Sequence, residues 1–259
     1  SYNGSVPDRT RAFAGYGLGL IGYKASDEKK QVIVEALIRM LEGPAKSFGQ
    51  RDIPVACLIS LGLTPLPVDA TAEAVDISKD LERPEQVTNR QEQILWLLSY
   101  FGNKEEEFLN RAHVPTAVAR LLADAGNDYW LRTEVGKRFV TGIGKNATGQ
   151  NEVLQSLILA LGKIADCDTD AVDIAIRQAL MDVSEEISDV QSRNFSLIAL
   201  AQAAGRPGTG EGGPIAGLDA KKGSPRGFLQ ERLAKGTSST KSWAALALAV
   251  LERKLDEND

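Results

Sequence analysis

The sequence has few of the residues from which most enzyme active sites are built. It contains one histidine, His113, and two cysteines, Cys57 and Cys167, which lie 110 residues apart. Two thiols cannot form a disulfide framework or a zinc site, so both cysteines are predicted to be reduced and buried. No Gly-x-Ser-x-Gly motif is present, and no catalytic pattern surrounds His113. We therefore expect no catalytic residue, no metal site and no cofactor.

Long apolar runs and an excess of basic charge are also lacking. The longest apolar stretches, such as Ala244–Leu251, are too short to span a bilayer. The net charge of −5 argues against a sequence-independent nucleic-acid binder. We expect a soluble protein without a membrane span. No signal peptide is recognised, but the chain begins at Ser1, so a cytoplasmic and a processed extracytoplasmic location both stay open.

Helical periodicity runs along most of the chain, and strand-like alternation is scarce. One pattern recurs, in which a leucine-rich last turn closes on a small residue. Its copies end at Gly22, Gly62, Gly102, Gly162, Ala201 and Ala249, and the first three ends are 40 residues apart. Amphipathic partner helices are predicted between these copies, at 27–42, 115–124, 169–182 and 224–235. A two-helix period near 40 residues is typical of stacked helical hairpins.

Two of these helices carry a family resemblance. Arg11 and Phe13 with Leu18–Gly22, and Arg193 and Phe195 with Leu197–Ala201, resemble HEAT repeats of the divergent bacterial type. The resemblance covers 8–63 and 88–204 well, and 224–254 less well. It implies an all-α, armadillo-like fold, an α-α superhelix of about six two-helix repeats that binds partners on its faces.

We accordingly expect a single HEAT-like repeat domain over 1–259. An irregular unit near 103–150 contains an extra helix at 129–145, and a Gly-rich insertion occupies 205–227. Three prolines interrupt 64–85, so any helix there should be short.

Gly17-x-Gly19-x-x-Gly22 matches the spacing of a dinucleotide-binding turn. The stretch before it is charged and helical in pattern, whereas that turn requires a preceding hydrophobic strand. We therefore interpret Gly15, Gly17 and Gly19 as small residues that let a neighbouring helix approach. Gly22 and Gly62 are predicted to end their helices in the left-handed conformation.

Asp166, Asp168 and Asp170 alternate as calcium ligands do. An EF-hand loop that begins at Asp166 would need glycine and glutamate where Ala171 and Arg177 stand. We interpret the aspartates as caps of the helix that begins near residue 170.

Two segments are candidates for partner binding. Tyr129 and Trp130, next to Arg132, form an aromatic and arginine cluster of the kind that anchors interfaces. Between Arg206 and Lys241 there are seven basic and three acidic residues, and this excess could contact an acidic partner. The candidate residues are Tyr129, Trp130, Arg132, Lys221, Lys222 and Arg226.

The leading interpretation is a non-enzymatic scaffold that binds another protein along its helical faces. One alternative is a HEAT-like nucleic-acid-binding protein, which would need Lys29, Lys30, Arg39, Arg120 and Lys163 to share one surface. The other is an accessory subunit of an enzyme complex, which a deep pocket with His113 and acidic residues would favour. The identity of the partner and the oligomeric state stay open.

Overall fold

The computed structural model describes residues 6–43, 52–79, 81–126, 129–145, 150–208, 210 and 223–257. Within these ranges the chain is all-α, as predicted, and has no strand. The twelve helices of the described residues are α1 (Asp8–Tyr23), α2 (Asp27–Leu41), α3 (Asp52–Leu63), α4 (Arg90–Gly102), α5 (Phe108–Arg111), α6 (Val114–Ala125), α7 (Trp130–Lys145), α8 (Asn151–Ile164), α9 (Ala171–Glu186), α10 (Val190–Ala204), α11 (Pro225–Lys235) and α12 (Ser238–Asp256).

The chain divides into two compact units, 1–125 and 126–259. In the first unit, α1 packs mainly on α3, and α3 packs in turn on α6. In the second, α8, α10 and α12 follow one another, while α7 packs beside α9. In the second unit three helices with the small-residue ending, α8, α10 and α12, thus stack in order, whereas in the first unit α1 stacks on α3 and the third such helix, α4, packs on α6. The packing is consistent with a helical repeat fold, while the superhelix and the single domain over 1–259 stay predictions.

Small residues set the contact between α1 and α3. A Cβ added at Gly19 would lie 2.7 Å from Cβ of Ser60, and one added at Gly22 would lie 2.6 Å from Cγ2 of Thr64. The hydroxyl of Ser60 donates a hydrogen bond of 2.9 Å to the carbonyl of Gly15. No larger side chain fits at Gly19 or Gly22 without movement of α3, so the prediction of close packing at Gly15 and Gly19 is confirmed.

A comparable close contact, between a glycine of one helix and an alanine of another, occurs once more in each unit. A Cβ at Gly62 would lie 2.6 Å from Cα of Ala117 on α6, and a Cβ at Gly162 would lie 2.6 Å from Cα of Ala199 on α10. The prediction that Gly22 and Gly62 end their helices in the left-handed conformation is wrong. Among the described glycines only Gly126 and Gly223 have positive φ. Gly22 and Gly62 are helical, and close packing is the reason for their small size.

Gly17 differs from the other glycines of α1. A Cβ at this position would meet nothing within 4 Å, so no internal neighbour requires a glycine here. The prediction that Gly17 admits a neighbouring helix is therefore wrong within the described part of the chain. A glycine inside a helix costs about 1 kcal/mol relative to alanine. At Gly17 no described contact offsets this loss.

Between α3 and α4 the chain has no helix in its described residues, so even the short helix allowed for 64–85 is not found there. Side chains of α4 hold the start of this segment. Gln93 accepts from the amide of Leu66 at 3.1 Å and donates to the carbonyls of Leu61 and Thr64 at 2.9 Å. Arg90 donates to the carbonyl of Leu66 at 2.6 Å. Pro65 and Pro67 prevent α3 from continuing, and side-chain hydrogen bonds satisfy backbone groups at the start of the segment instead.

Arg83 fastens the end of the same segment. Its guanidinium carbon lies 5.0 Å from the ring centroid of Trp96 and 5.8 Å from that of Tyr100. It also lies within ion-pair distance of Glu42, at 4.0 Å, and Glu106, at 3.9 Å. These contacts fix the segment against α4 in a part-buried site, where a cation over an aromatic face is stabilised.

Gly162→Ala tests the close contact between α8 and α10. The added methyl meets the backbone of Ala199, so we expect a loss of about 1–3 kcal/mol in the free energy of unfolding. The control is Gly144→Ala on α7, whose added methyl meets nothing within 4 Å and should be neutral or stabilising by up to about 1 kcal/mol. Urea unfolding measures both, and equal effects of the two substitutions would contradict the packing argument.

Candidate partner-binding site

The predicted partner-binding residues occupy different environments. Tyr129 and Trp130 are half-buried at the start of α7, and their rings meet edge to face at 6.4 Å. Arg226, in the first turn of α11, donates two hydrogen bonds to Glu252 of α12, at 2.9 and 2.8 Å. Lys221 and Lys222 lie outside the described residues. The structure therefore does not show Tyr129, Trp130 and Arg226 together in one site.

Arg132 is not an exposed anchor, contrary to its assignment from the sequence. Its residue surface is 6% exposed. It donates two hydrogen bonds to Asp173, at 2.8 and 3.3 Å, and one to Asp166, at 2.9 Å. A third partner is the carbonyl of Ile164 at the end of α8, at 2.9 Å. The guanidinium thus joins α7 to α8 and α9 in the interior and is not available to a partner.

Two further arginines complete this buried ion cluster. Arg177 of α9 donates to the carbonyls of Asp166 and Asp168, the latter at 2.6 Å. Arg206 donates to the carbonyls of Ala165 and Gly162, the latter at 3.2 Å. The turn after α8 therefore has its backbone oxygens capped by guanidinium groups from two sides. We define the buried ion cluster as Arg132, Asp166, Asp168, Asp173, Arg177 and Arg206.

The three aspartates of this cluster have ligand atoms within 4.8 Å of one another, a spacing that suits a metal ion. Their oxygens already accept protein donors. Asp173 accepts from Arg132 and from the amide of Asp166, and Asp168 accepts from the amides of Asp170 and Gly210. Three arginines also balance three carboxylates, so a cation would compete with the Arg132 guanidinium. The donor set favours an internal ion network over a metal centre.

The capping role predicted for the aspartates is only partly right. Asp170 occupies the N-cap position of α9, but its side chain makes no capping hydrogen bond. Asp166 and Asp168 instead bind the amides of Asp168 and Asp170, two residues further on, at 3.2 and 3.0 Å. The carboxylates hold the turn before the helix in shape and do not cap the helix itself.

Burial raises the pKa of Asp166 to about 6, with a further contribution from the nearby charge of Asp173, although Arg132 opposes both. Burial also raises the pKa of Asp173. Because the two carboxylates share Arg132, they titrate as a pair. One proton is therefore bound by this pair at a higher pH in the folded chain than in the unfolded chain.

The sequence analysis missed an exposed apolar surface on α1. We define the α1 outer face as Phe13, Gly17, Leu20, Ile21 and Tyr23, whose four large side chains are exposed by 66%, 68%, 64% and 55% in chain order. The opposite face consists of Ala12, Gly15, Gly19 and Gly22, all buried. The signal was present in the sequence, since small residues at helical spacing mark the packed side and leave the large ones outside.

The basic residues of the nucleic-acid alternative also have described positions. Four of the five, Lys29, Lys30, Arg39 and Arg120, belong to the first unit, and Lys163 belongs to the second. Lys30 pairs with Asp27 at 3.4 Å, and Arg39 with Glu35 at 3.6 Å, so acidic neighbours on α2 partly neutralise this helix. Nucleic-acid binding stays a prediction.

His113 and the cysteines complete the inventory of reactive side chains. His113 is half-buried, and burial lowers its pKa. Cys57 and Cys167 are buried free thiols, as predicted. Burial raises the pKa of Cys57 to about 12, so it stays protonated at neutral pH.

No family model, curated protein or solved structure matches the chain. Among the helices of the described ranges, none has the length and apolar character to cross a bilayer.

Arg132→Met tests the importance of the buried ion cluster. The substitution leaves Asp166 and Asp173 buried without their main cation, so we expect a loss of about 3–5 kcal/mol in the free energy of unfolding. Arg226→Met is the matched control, because it removes an arginine that pairs with a carboxylate near the surface and should cost at most about 1 kcal/mol. Chemical denaturation of both variants decides the point, and similar losses would refute a special role for Arg132.

The pH dependence of stability tests whether Asp166 and Asp173 bind a proton with a raised pKa in the folded chain. Because its folded pKa is raised, Asp166 contributes stability that is fully present below pH 3.8 and is lost as pH rises through about 6. His113, with its lowered pKa, acts in the opposite direction near pH 6.5, so wild type alone does not isolate Asp166.

The measurement is therefore the difference between wild type and Asp166→Asn, which has no proton to bind. We expect this difference to grow in favour of wild type as pH falls from 7 towards 4, by up to about 3 kcal/mol. Parallel curves for the two proteins over this range would show that the carboxylate pair does not titrate there.

Proposed function

We propose that the chain is a non-enzymatic scaffold of HEAT-like repeats that binds another protein through an exposed helical face. The observation that supports this proposal is the α1 outer face. Its four large apolar side chains are each more than half exposed on one short helix. Since aromatic side chains present about 150–250 Å² each and aliphatic ones somewhat less, these four expose roughly 500 Å². The largest apolar patch on a monomeric protein is commonly about 300–600 Å² and is often functional, so this surface is the candidate binding face.

The stacking of the helices supports the repeat part of the proposal. Helices with the small-residue ending follow one another as α1 and α3 in the first unit and as α8, α10 and α12 in the second. In such arrays each repeat contacts mainly its neighbours, and the outer faces form continuous surfaces for partners. The α1 outer face is a surface of this kind, because α1 packs mainly on α3 and α2 through its opposite side.

Photocrosslinking tests the proposal at the residue where contact is expected. Phe13 is replaced by p-benzoylphenylalanine, and the chain is irradiated in cells that express it. We expect a discrete crosslinked protein band, because a bound partner would cover the exposed ring of Phe13. The matched control is the same replacement at Phe108 of α5, an aromatic residue that is 38% exposed and lies outside the α1 outer face.

Two charged substitutions in the α1 outer face give the second arm of this experiment. Leu20→Asp and Ile21→Asp place two charges within the apolar surface and should abolish the band at position 13, since a buried unpaired charge is strongly unfavourable. A smear of unrelated products at position 13, or equal bands at positions 13 and 108, would refute the proposed binding face.

A further inference from the structure

Gly17 lies near the middle of the α1 outer face, with large apolar side chains on both sides of it along the helix. Phe13, Gly17, Leu20 and Ile21 follow the i, i+4, i+7, i+8 spacing of a single helical face. At about 1.5 Å per residue, Phe13 and Ile21 each lie about 6 Å from Gly17 along the axis. Gly17 is thus a gap between two bulky apolar side chains, and nothing in the described chain fills it.

A second backbone would explain the glycine. Gly15 and Gly19 face atoms of α3 within 4 Å, and Gly22 faces Thr64 directly after α3, so their small size has an internal reason. Gly17 has no such neighbour, although it has the same unfavourable helix propensity. Gly144 of α7 is equally open, but no exposed large apolar residue of the described chain flanks it, whereas Phe13, Leu20 and Ile21 flank Gly17. A glycine between large residues on a helix surface allows another helix to cross at close range. The missing neighbour is therefore expected to be a helix that lies across Gly17.

We propose that this helix is α1 of a second copy of the chain, antiparallel to the first and crossing it at Gly17. The inference rests on the proposed function, since it names the partner of the same face. A two-fold axis beside Gly17 places Gly17 opposite Gly17 and Phe13 opposite Ile21. The backbones can then approach at the two glycines, while the apolar side chains pack against each other on either side of the crossing. A surface that meets itself across a two-fold axis must be self-complementary, and this one is.

The chemistry of the face suits an identical partner. Its members are apolar or, in Tyr23, uncharged, so two copies meet without like-charge repulsion at the centre. The antiparallel arrangement also brings opposite ends of the helix dipoles together. If each copy contributes roughly 500 Å² of apolar side chain, the dimer buries about 1,000 Å² before flanking residues are counted. That total meets the lower limit for a specific interface and indicates a dimer of moderate affinity.

Disulfide trapping at the crossing point tests the geometry. Gly17→Cys introduces a side chain with nothing within 4 Å, so the variant is expected to fold. Two cysteines at a helix crossing have Cα atoms within the distance of about 7 Å that a disulfide can bridge. The added side chain weakens the non-covalent dimer, as Gly17→Ala does, but oxidation captures each encounter of two α1 helices at this point. We therefore expect the purified full chain to form a covalent dimer faster than a variant with its cysteine on another helix, seen on non-reducing gels.

The control is Gly144→Cys, at an exposed helical glycine with equally open surroundings. Cys57 and Cys167 are buried in both variants and contribute the same background. Gly144→Cys should remain monomeric under the same oxidation. If Gly17→Cys forms covalent dimer no faster than Gly144→Cys, the crossing at Gly17 is overturned.

Gly17→Ala provides a test in which two readouts move in opposite directions. The added methyl improves the helix and should raise the midpoint of thermal unfolding by about 2–4 °C under conditions where the chain is monomeric. The same methyl separates the two helices and should weaken dimerisation about tenfold or more in sedimentation equilibrium, since overpacking at a close contact is destabilising. An unchanged dimerisation constant would overturn the proposal.

Sedimentation of wild type at increasing concentration separates this inference from the proposed function. A concentration-dependent dimer that Leu20→Asp with Ile21→Asp abolishes supports the second copy as partner. A wild-type chain that stays monomeric overturns the inference. If the band at position 13 then contains a different protein, the proposed function stands alone. If position 13 gives no discrete band either, both fail.

Discussion

Close contact between helix backbones is the constraint on which the rest of this structure depends. At Gly19, Gly62 and Gly162 a single added carbon would overlap a neighbouring helix, and at Gly22 it would overlap Thr64 directly after α3. At two of these positions, Gly62 facing Ala117 and Gly162 facing Ala199, the added Cβ would lie at the same distance of 2.6 Å from the facing Cα. Such proximity increases dispersion contacts between the helices and offsets the low helix propensity of glycine. It also restricts the register of each pair, because the facing helix can come close only where small residues stand.

Buried arginines that donate hydrogen bonds to backbone carbonyl groups are a second recurring feature of this structure. Helices that stop in the interior leave carbonyl groups without partners in the helix. In the first unit Arg90 donates to the carbonyl of Leu121 near the end of α6 and to that of Leu66, which lies between helices. In the second unit Arg132 donates to the carbonyl of Ile164 at the end of α8. An arginine has five donors in a rigid fork, so one side chain can satisfy carbonyl groups and a carboxylate at the same time. Asp166, which follows α8, is the carboxylate that Arg132 binds together with the carbonyl of Ile164.

The sequence was a good guide to the helices and a poor guide to the environment of single polar residues. Periodicity and the spacing of the repeat predicted α2, α6, α7 and α11 to within two residues of their observed ends. Prolines near the start of α6 and α11 gave an additional signal there. Arg132 was misplaced because its position beside Tyr129 and Trp130 suggests a surface cluster. Its acidic partners lie 34 and 41 residues away in the sequence, and only tertiary structure brings them together. The α1 outer face could have been predicted from the spacing of its small residues.

The segment between α3 and α4 has a consequence for how this protein can vary. The backbone of its described residues carries no helical hydrogen bonds. Its fixed points include side-chain bonds at Leu66 and Glu73, the buried Ile77, Arg83 against Trp96, and the bond from Gln31 to the carbonyl of Val87. Between these points most residues face solvent. Insertions or deletions there would lengthen or shorten loops without shifting any helix against another. Evolution can therefore remodel this side of the first unit while the glycine-mediated helix contacts stay unchanged.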